Sequence, residues 1–166
     1  MKTFAFAVLI FLLPATHRII KNSPLQLRYD KVMMYDFDGG IGSDQTIVDA
    51  KGRLATSITK QVVLDKERAL RLTKKLGEKE SFDNEMAMCF EPHLGFVYYW
   101  KGKIVACITV CLDCNLLVSS IPLDPQKHDK LGIANDAYIA GAPSKSFRAF
   151  LNDLLKKYNF SHQQLD

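Results

Sequence analysis

Two apolar runs separated by a two-residue turn, LGFVYYW-KG-KIVACITV at residues 94–110, organise the rest of this chain. Both runs are rich in β-branched and aromatic residues, and the Lys101-Gly102 pair between them is typical of a β-hairpin turn. Placing Trp100 opposite Lys103 fixes a register for the two strands. That register pairs three further sets of residues toward the open end: Phe96 with Cys107, His93 with Val110, and Cys89 with Cys114.

All four cysteines lie close to this hairpin, between residues 89 and 114. Residues on facing strands have Cβ atoms about 4.5–5.5 Å apart, so the open end of the hairpin would gather one group of possible ligands. This group comprises Cys89, His93, Cys111 and Cys114. Three thiolates and one imidazole form a Cys3His set, and Cys-x-x-Cys is a frequent half of a structural zinc site. The sequence therefore predicts a metal site with zinc as the candidate cofactor, and leaves Cys107 as a small apolar residue within the second strand.

Two other interpretations of the same cysteines stay open. In an oxidising compartment, a disulfide of Cys89 with Cys114, or of Cys111 with Cys114, competes with metal binding. The four cysteines could also be buried thiols, since free cysteine is among the residues most often found in protein cores. Strand alternation is an obstacle to gathering the cluster, because Cys111 faces away from Cys89 unless the Cys-x-x-Cys segment turns.

The amino terminus has the pattern of a secretory signal peptide at residues 1–15. Lys2 supplies a positive charge, Phe4 to Leu13 is an apolar run, and Pro14-Ala15 offers a small residue for cleavage. The apolar run is shorter than the roughly 20 residues that span a bilayer. We therefore expect an exported protein, periplasmic or extracellular, with no stable membrane span once the signal is removed.

Chain length and net charge limit the number of domains and the class of binding partner. The chain has 166 residues, 22 Lys and Arg, 18 Asp and Glu, and a formal net charge of +4. After the signal peptide this length suits one domain, which we place at residues 25–160. The densest basic run, Arg68 to Lys79, is interleaved with glutamates and is typical of a solvated helix face. No nucleic-acid partner is expected, and the sequence identifies no other partner.

Hydrophobic periodicity predicts an α+β fold: a small antiparallel sheet with a central β-hairpin at about residues 94–110, covered by two main helices at 66–76 and 145–158. Asp65 and Gly77 are expected to begin and end the first helix. An apolar stripe of Phe and Leu residues marks the second. Further strands are predicted at Leu25–Phe37, Thr46–Leu54 and Met86–Phe90.

The segment Val32-Met-Met-Tyr-Asp36-Phe-Asp38-Gly-Gly40 resembles the first motif of haloacid-dehalogenase-type phosphatases. The resemblance implies Asp36 as a phosphoryl-accepting nucleophile and Asp38 as acid/base, with magnesium beside them. The expected lysine and acidic motifs do not follow, and the doubly wound parallel sheet of that family needs more helices than are predicted. Together with Asp44, the same aspartates could instead bind calcium or form an ordinary turn.

The segment Cys89-Phe-Glu-Pro-His93 followed by Cys111-Leu-Asp-Cys114 is similar to one found in uncharacterised exported bacterial proteins of Bacteroidetes type. This resemblance implies an exported bacterial origin and a shared structural or redox site, and no activity. We therefore predict a small accessory or binding domain with a structural Cys/His cluster and no catalytic residues. The enzymatic alternative is periplasmic thiol–disulfide redox chemistry at Cys111 and Cys114, and phosphatase-like chemistry at Asp36 is a third. Thiol–disulfide oxidoreductases place Cys-x-x-Cys at a helix start, whereas this pair follows a strand.

Overall fold

The computed structural model of this chain describes residues 25–40, 45–83, 89–123 and 137–162. The predicted signal peptide at residues 1–15 lies outside the described residues. Residues 86–88 of the predicted strand Met86–Phe90 also lie outside them, and Cys89 and Phe90 are not part of a strand.

The described chain contains seven strands and two α-helices. The strands are β1 (Lys31–Phe37), β2 (Ile58–Val63), β3 (Phe82–Asp83), β4 (Leu94–Trp100), β5 (Lys103–Cys111), β6 (Leu116–Ser119) and β7 (Tyr138–Pro143). The helices are α1 (Lys66–Leu76) and α2 (Lys145–Tyr158), and a short 3₁₀ turn covers Lys79–Ser81.

The predicted hairpin forms from β4 and β5 at the middle of the sheet. Lys101 and Gly102 both have positive φ values, 49° and 78°, which are the left-handed conformations of a type I′ hairpin turn. Trp100 pairs with Lys103 as predicted, but farther along Phe96 pairs with Ile108 and not with Cys107. Val105 is an extra residue opposite the Tyr98–Tyr99 step, and this bulge shifts the register by one position.

The seven strands form one sheet in the order β2-β1-β4-β5-β6-β7-β3, and every neighbouring pair is antiparallel. The predicted fold class, a small sheet covered by two main helices, is therefore wrong, because the sheet dominates the described structure. The sequence prediction missed the contributions of β2, β6 and β7. β6 and β7 are short and contain Ser, Ala, Gly and Pro, so only pairing to neighbours identifies them as strands.

Two other predicted strands differ from the structure. The strand predicted at Leu25–Phe37 begins only at Lys31, and residues 25–30 approach the sheet as irregular chain. The strand predicted at Thr46–Leu54 is a loop that folds onto the sheet, with a single antiparallel bridge between Val48 and Leu54. Its residues Ile47 and Val48 are buried because they cover a sheet face, which produces the same hydrophobic pattern as a strand.

The two helices occur at the predicted positions. Asp65 caps α1 by accepting a hydrogen bond from the backbone N–H of Arg68 at 3.0 Å, and Gly77 is its C-cap. Asn159 is the C-cap of helix α2, and its left-handed backbone allows the N–H of Phe160 to donate to the carbonyl of Leu155.

The helices cover one face of the sheet and run antiparallel to each other. Lys75, near the end of α1, donates to Ser146 near the start of α2, whereas Tyr158 at the end of α2 reaches Asp65. The main core lies between these helices and the sheet. Its fully buried members include Met34, Leu72, Leu94, Phe96, Tyr98, Ile108, Leu117 and Phe147.

The opposite face of the sheet carries a second, smaller core. Ile47 and Val48 of the covering loop pack on Tyr35, Phe37 and Val97 of the sheet. The backbone N–H of Ile47 also donates to Thr109 Oγ1 at 3.1 Å, which fixes the loop over β5. Neither helix in the described part of the chain has the length and apolar character needed to cross a membrane.

Candidate functional site

The cysteine cluster lies where the segment before β4 meets the turn between β5 and β6. Cys89 precedes β4, Cys111 is the last residue of β5, and Cys114 lies in the turn. The three Sγ atoms all lie within 4.8 Å of one another, close enough to hold a metal ion. The three cysteines thus lie together, as the sequence predicted.

The turn after Cys111 explains how the side chains of Cys111 and Cys114 come together although successive strand residues point to opposite faces of the sheet. Cys111 pairs with Leu116, and the four residues between them reverse the chain. The N–H of Asn115 bonds the carbonyl of Leu112 at 3.2 Å, and Asn115 has a φ of 47°, a conformation that asparagine tolerates better than most residues. The reversal brings Cys114 back over Cys111, so the two sulfurs meet although both residues belong to one hairpin.

Cys114 is the shared member of the cluster. Its Sγ is in bonding contact with Cys89 Sγ and also with Cys111 Sγ. The Cα atoms are 5.6 Å apart for Cys89 and Cys114, and 5.3 Å apart for Cys111 and Cys114. Both separations lie in the range that a disulfide spans without backbone movement. Because one sulfur forms one disulfide, the two crosslinks are mutually exclusive.

The three sulfurs lie in different surroundings. Cys111 and Cys114 are buried and pack with Leu116, Phe90 and Ile139, whereas Cys89 is exposed. The backbone N–H of Cys114 donates to Cys111 Sγ at 3.2 Å. This hydrogen bond links the turn to the last residue of β5. Solvent reaches the cluster from the side of Cys89.

His93, the fourth predicted ligand, contacts Phe37 and His162 and not the three cysteines. Its Nδ1 is 3.3 Å from the backbone oxygen of Phe37, and its ring stacks on His162 with centroids 3.9 Å apart. Among the described residues, the group with ligand atoms close enough for a metal contains the three cysteines and not His93. The structure therefore brings together three of the four predicted ligands.

Cys107 is separate from the cluster, as the sequence prediction placed it. It is partly exposed on β5, where it lines a cavity of about 340 Å³ below the loop that carries Val48. Its backbone N–H donates to Ser120 Oγ at 2.9 Å. Burial raises the pKa of the Cys107 thiol, and the weaker opposing effect of hydrogen bonding with Ser120 does not offset it.

Asp36 is buried near the end of β1, on the face covered by the helices. Its Oδ2 accepts hydrogen bonds from the Oγ of Ser161 at 2.6 Å and from the backbone N–H of the same residue at 3.3 Å. Its Oδ1 is 3.0 Å from Nδ1 of His162. Burial alone would raise the pKa of Asp36, but the combined bonds from Ser161 and His162 outweigh it and lower the pKa.

This environment differs from the one that the phosphatase resemblance implies. β1 is antiparallel to both of its neighbours, so Asp36 does not lie at the end of a strand in a parallel sheet. Asp38 is exposed, and Asp44, part of the calcium alternative, lies outside the described residues. The sequence prediction missed Ser161 and His162 as partners of Asp36, because no local pattern links residues more than 120 positions apart.

Comparison with known proteins gives no independent assignment: no family model, no curated protein and no solved structure matches this chain.

Proposed function

We propose that this chain is a small exported accessory or binding domain of bacterial origin whose three-cysteine cluster is a structural crosslink. The supporting observation is the position of Cys114, in bonding contact with both Cys89 and Cys111. A Cys89–Cys114 bond would tie the segment before β4 to the turn after β5.

The crosslink has a physical role at this position. Cys89 belongs to a segment without strand pairing, whereas Cys114 belongs to a turn fixed by β5 and β6. A disulfide joining residues 25 positions apart stabilises a fold by about 3.5 kcal/mol in the chain-entropy account. The Cys111–Cys114 bond closes a much shorter loop, so it contributes less to stability by this mechanism.

A disulfide fits the site better than zinc does. Structural zinc sites almost always have four protein ligands, and His93 is held away from the three thiols by Phe37 and His162. A zinc ion here would need its fourth ligand from outside the predicted set. The expected export to an oxidising compartment also favours sulfur pairing. Zinc remains the alternative occupant, bound by Cys89, Cys111 and Cys114.

Thiol–disulfide chemistry is a second candidate function, favoured by one observation. Cys111 Sγ and Cys114 Sγ lie within bonding contact of each other. Cys111 ends strand β5 and Cys114 lies in the following turn, so the pair lacks the helix start that oxidoreductases use, and the support comes from the sulfur contact alone.

Thermal unfolding with and without reductant or chelator tests the structural proposal. A structural disulfide predicts that reductant lowers the Tm of the wild-type protein and leaves the Tm of Cys114→Ala unchanged. Chelator should change neither. Cys107→Ala is the matched control and should keep the full response to reductant. A lower Tm after chelation, together with a native mass increased by one zinc ion, would show that the cluster is a metal site and not a disulfide. An unchanged Tm under both treatments would contradict a structural role.

A further inference from the structure

We infer that the layer formed by helices α1 and α2 is a docking surface for a membrane surface that carries anionic lipid headgroups. The inference concerns the helix-covered face of the sheet and does not depend on the cysteine cluster. It adds a partner to the proposed binding domain. Its failure would leave the structural crosslink, and the response of the Tm to reductant, as proposed.

The positive charge of the chain is concentrated in the two helices. Together α1 and α2 contain nine Lys and Arg residues but only one Glu and one Asp, a formal charge of +7. The whole chain has a formal charge of +4, so the residues outside the helices together carry −3. An anionic surface would therefore attract the helix layer and repel the rest of the protein, which orients the molecule on that surface.

The packing of the helices spreads these charges over the whole layer. Because the helices run antiparallel, the first turn of each lies beside the last turn of the other. Lys66 of α1 is thus at the same end of the layer as Lys156 and Lys157 of α2, and Lys145 of α2 is at the same end as Lys74 of α1. The sequence of α1 alone could not show this surface, because α2 lies far along the chain.

Most of these charges are available to a partner. The ion pairs within the described residues engage two of the nine basic side chains, Arg68 and Lys74. Two more, Lys75 and Arg148, donate hydrogen bonds to uncharged groups. The other five are exposed and form no ion pair with a described residue: Lys66, Arg71, Lys145, Lys156 and Lys157. An anionic partner can bind them without breaking an internal ion pair.

The chemistry of the layer fits lipid headgroups better than nucleic acid. Proteins that bind single strands stack bases on accessible aromatic rings, but Phe147 and Phe150 of α2 are buried and Tyr158 is half-buried. Basic side chains spread over two adjacent helices instead match a broad plane of anionic headgroups. The exposed large apolar residues of the described chain, Leu54 and Val63, lie outside the helices. We therefore expect adsorption to the headgroups without insertion.

Co-sedimentation of the full chain with lipid vesicles tests the docking surface. One set of vesicles contains phosphatidylcholine alone, and the other contains phosphatidylcholine and phosphatidylglycerol in equal amounts. Binding to the first set measures any contribution of apolar residues. We expect stronger binding to the second set, and loss of the difference at high salt, because salt screens exposed charges. Equal binding to the two sets at low salt would overturn the inference.

A triple variant with Lys66→Gln, Arg71→Gln and Lys157→Gln removes three charges from the layer. A basic residue near an anionic membrane contributes on the order of fivefold to affinity, so this helix variant should bind the phosphatidylglycerol vesicles about a hundredfold more weakly than the wild type. All three side chains are exposed, so its Tm should stay close to that of the wild type.

A second triple variant with Lys31→Gln, Lys51→Gln and Lys103→Gln is the matched control. It has the same net charge as the helix variant, and its three substituted residues are exposed and lie outside the helices. The control variant should bind the vesicles almost as well as the wild type. Equal losses in the two variants would assign binding to net charge and overturn the role of the layer. Tighter binding of the wild type to a DNA duplex than to the vesicles, at the same salt concentration, would overturn the membrane partner.

Acetylation of lysines on the vesicle-bound wild type gives a readout that needs no substitution. Phosphatidylglycerol vesicles should protect Lys66 and Lys157 from the reagent and leave Lys51 and Lys103 as reactive as in the free protein. Mass spectrometry of the digested protein locates the labels. Protection of all four lysines to the same extent would contradict docking through the helix layer.

Discussion

The imidazole of His162 donates a hydrogen bond from Nδ1 to Oδ1 of Asp36 at 3.0 Å. This bond connects the segment after α2 to strand β1. Ser161 adds two hydrogen bonds to the other carboxylate oxygen. The carboxylate thereby holds the residues that follow α2, and Lys60 on the neighbouring strand β2 donates to the carbonyl of Asn159 at 2.7 Å. The end of α2 is fixed to the sheet by one negative and one positive side chain.

Asp36→Asn should lower the free energy of unfolding at pH 7 by about 1–3 kcal/mol, because a buried charged acceptor with three hydrogen bonds is replaced by a neutral amide. Urea unfolding at pH 7 measures the difference. Asp38→Asn is the matched control, since Asp38 is exposed and should change stability by less than about 0.5 kcal/mol. Equal effects of the two substitutions would contradict the assigned role of Asp36.

The same carboxylate gives a pH dependence with a defined sign. The pKa of Asp36 is lower in the folded protein than in the unfolded chain, where it is about 3.9. Its stabilising contribution is therefore complete above that value and is lost as the pH falls through the lower pKa of the folded state. Asp36→Asn should consequently lose less stability than the wild type between pH 5 and pH 2. Parallel acid unfolding curves for the two proteins would refute this expectation.

Gly95 allows the loop over the second face to approach the sheet. A Cβ at this position would lie 2.5 Å from Cγ1 and 2.6 Å from Cβ of Ile47, which is too close for either atom. We expect Gly95→Ala to destabilise the fold by about 1–3 kcal/mol through overpacking. Thermal unfolding of Gly95→Ala measures this cost.

A double-mutant cycle identifies the clash as its origin. The Gly95→Ala substitution should cost less in an Ile47→Gly background, where both obstructing atoms, Cβ and Cγ1, are absent. Gly40→Ala serves as a control, because a Cβ there would meet only Asp38 Oδ1 at an ordinary 3.6 Å. Strict additivity of the two substitutions would show that Ile47 is not the obstacle.

Asp65 is an N-cap whose contribution can be separated from its ion pair. Asp65→Ala should destabilise the protein by about 0.5–2 kcal/mol, because the N–H of Arg68 loses its acceptor. Asp65→Asn keeps an acceptor oxygen and removes the charge that pairs with Arg68. Chemical denaturation should therefore place Asp65→Asn close to the wild type. A loss in Asp65→Asn as large as in Asp65→Ala would assign the effect to the ion pair.

Cys107 should react slowly with alkylating reagents in the folded protein. Its raised pKa lowers the fraction of thiolate at a given pH, and thiolate is the reactive form. We expect iodoacetamide to label Cys107 more slowly than Cys89 in reduced native protein at pH 8, with fragment-ion mass spectrometry locating the label. In urea the two rates should converge. A native Cys107 rate equal to that of Cys89 would contradict the burial of its sulfur.

Local signals in the sequence were sufficient for several elements. The Lys101-Gly102 pair predicted the turn between β4 and β5, and Asp65 with Gly77 predicted the bounds of α1, because turn and cap preferences depend on residues only a few positions apart. The sequence also placed Cys89, Cys111 and Cys114 together from their spacing around the hairpin. These features need no knowledge of the rest of the chain.

The tertiary structure decided what depends on distant partners. The bulge at Val105 changed the register, β2 and β7 became strands by pairing with β1 and β6, and Asp36 acquired His162 from 126 positions away. His93 contacts Phe37 and His162 and not the cysteines. Sequence spacing determines which side chains can lie near one another. Packing of the whole sheet and its helices then decides which of these contacts form, because each buried polar group needs a hydrogen-bond partner at the position where the core places it.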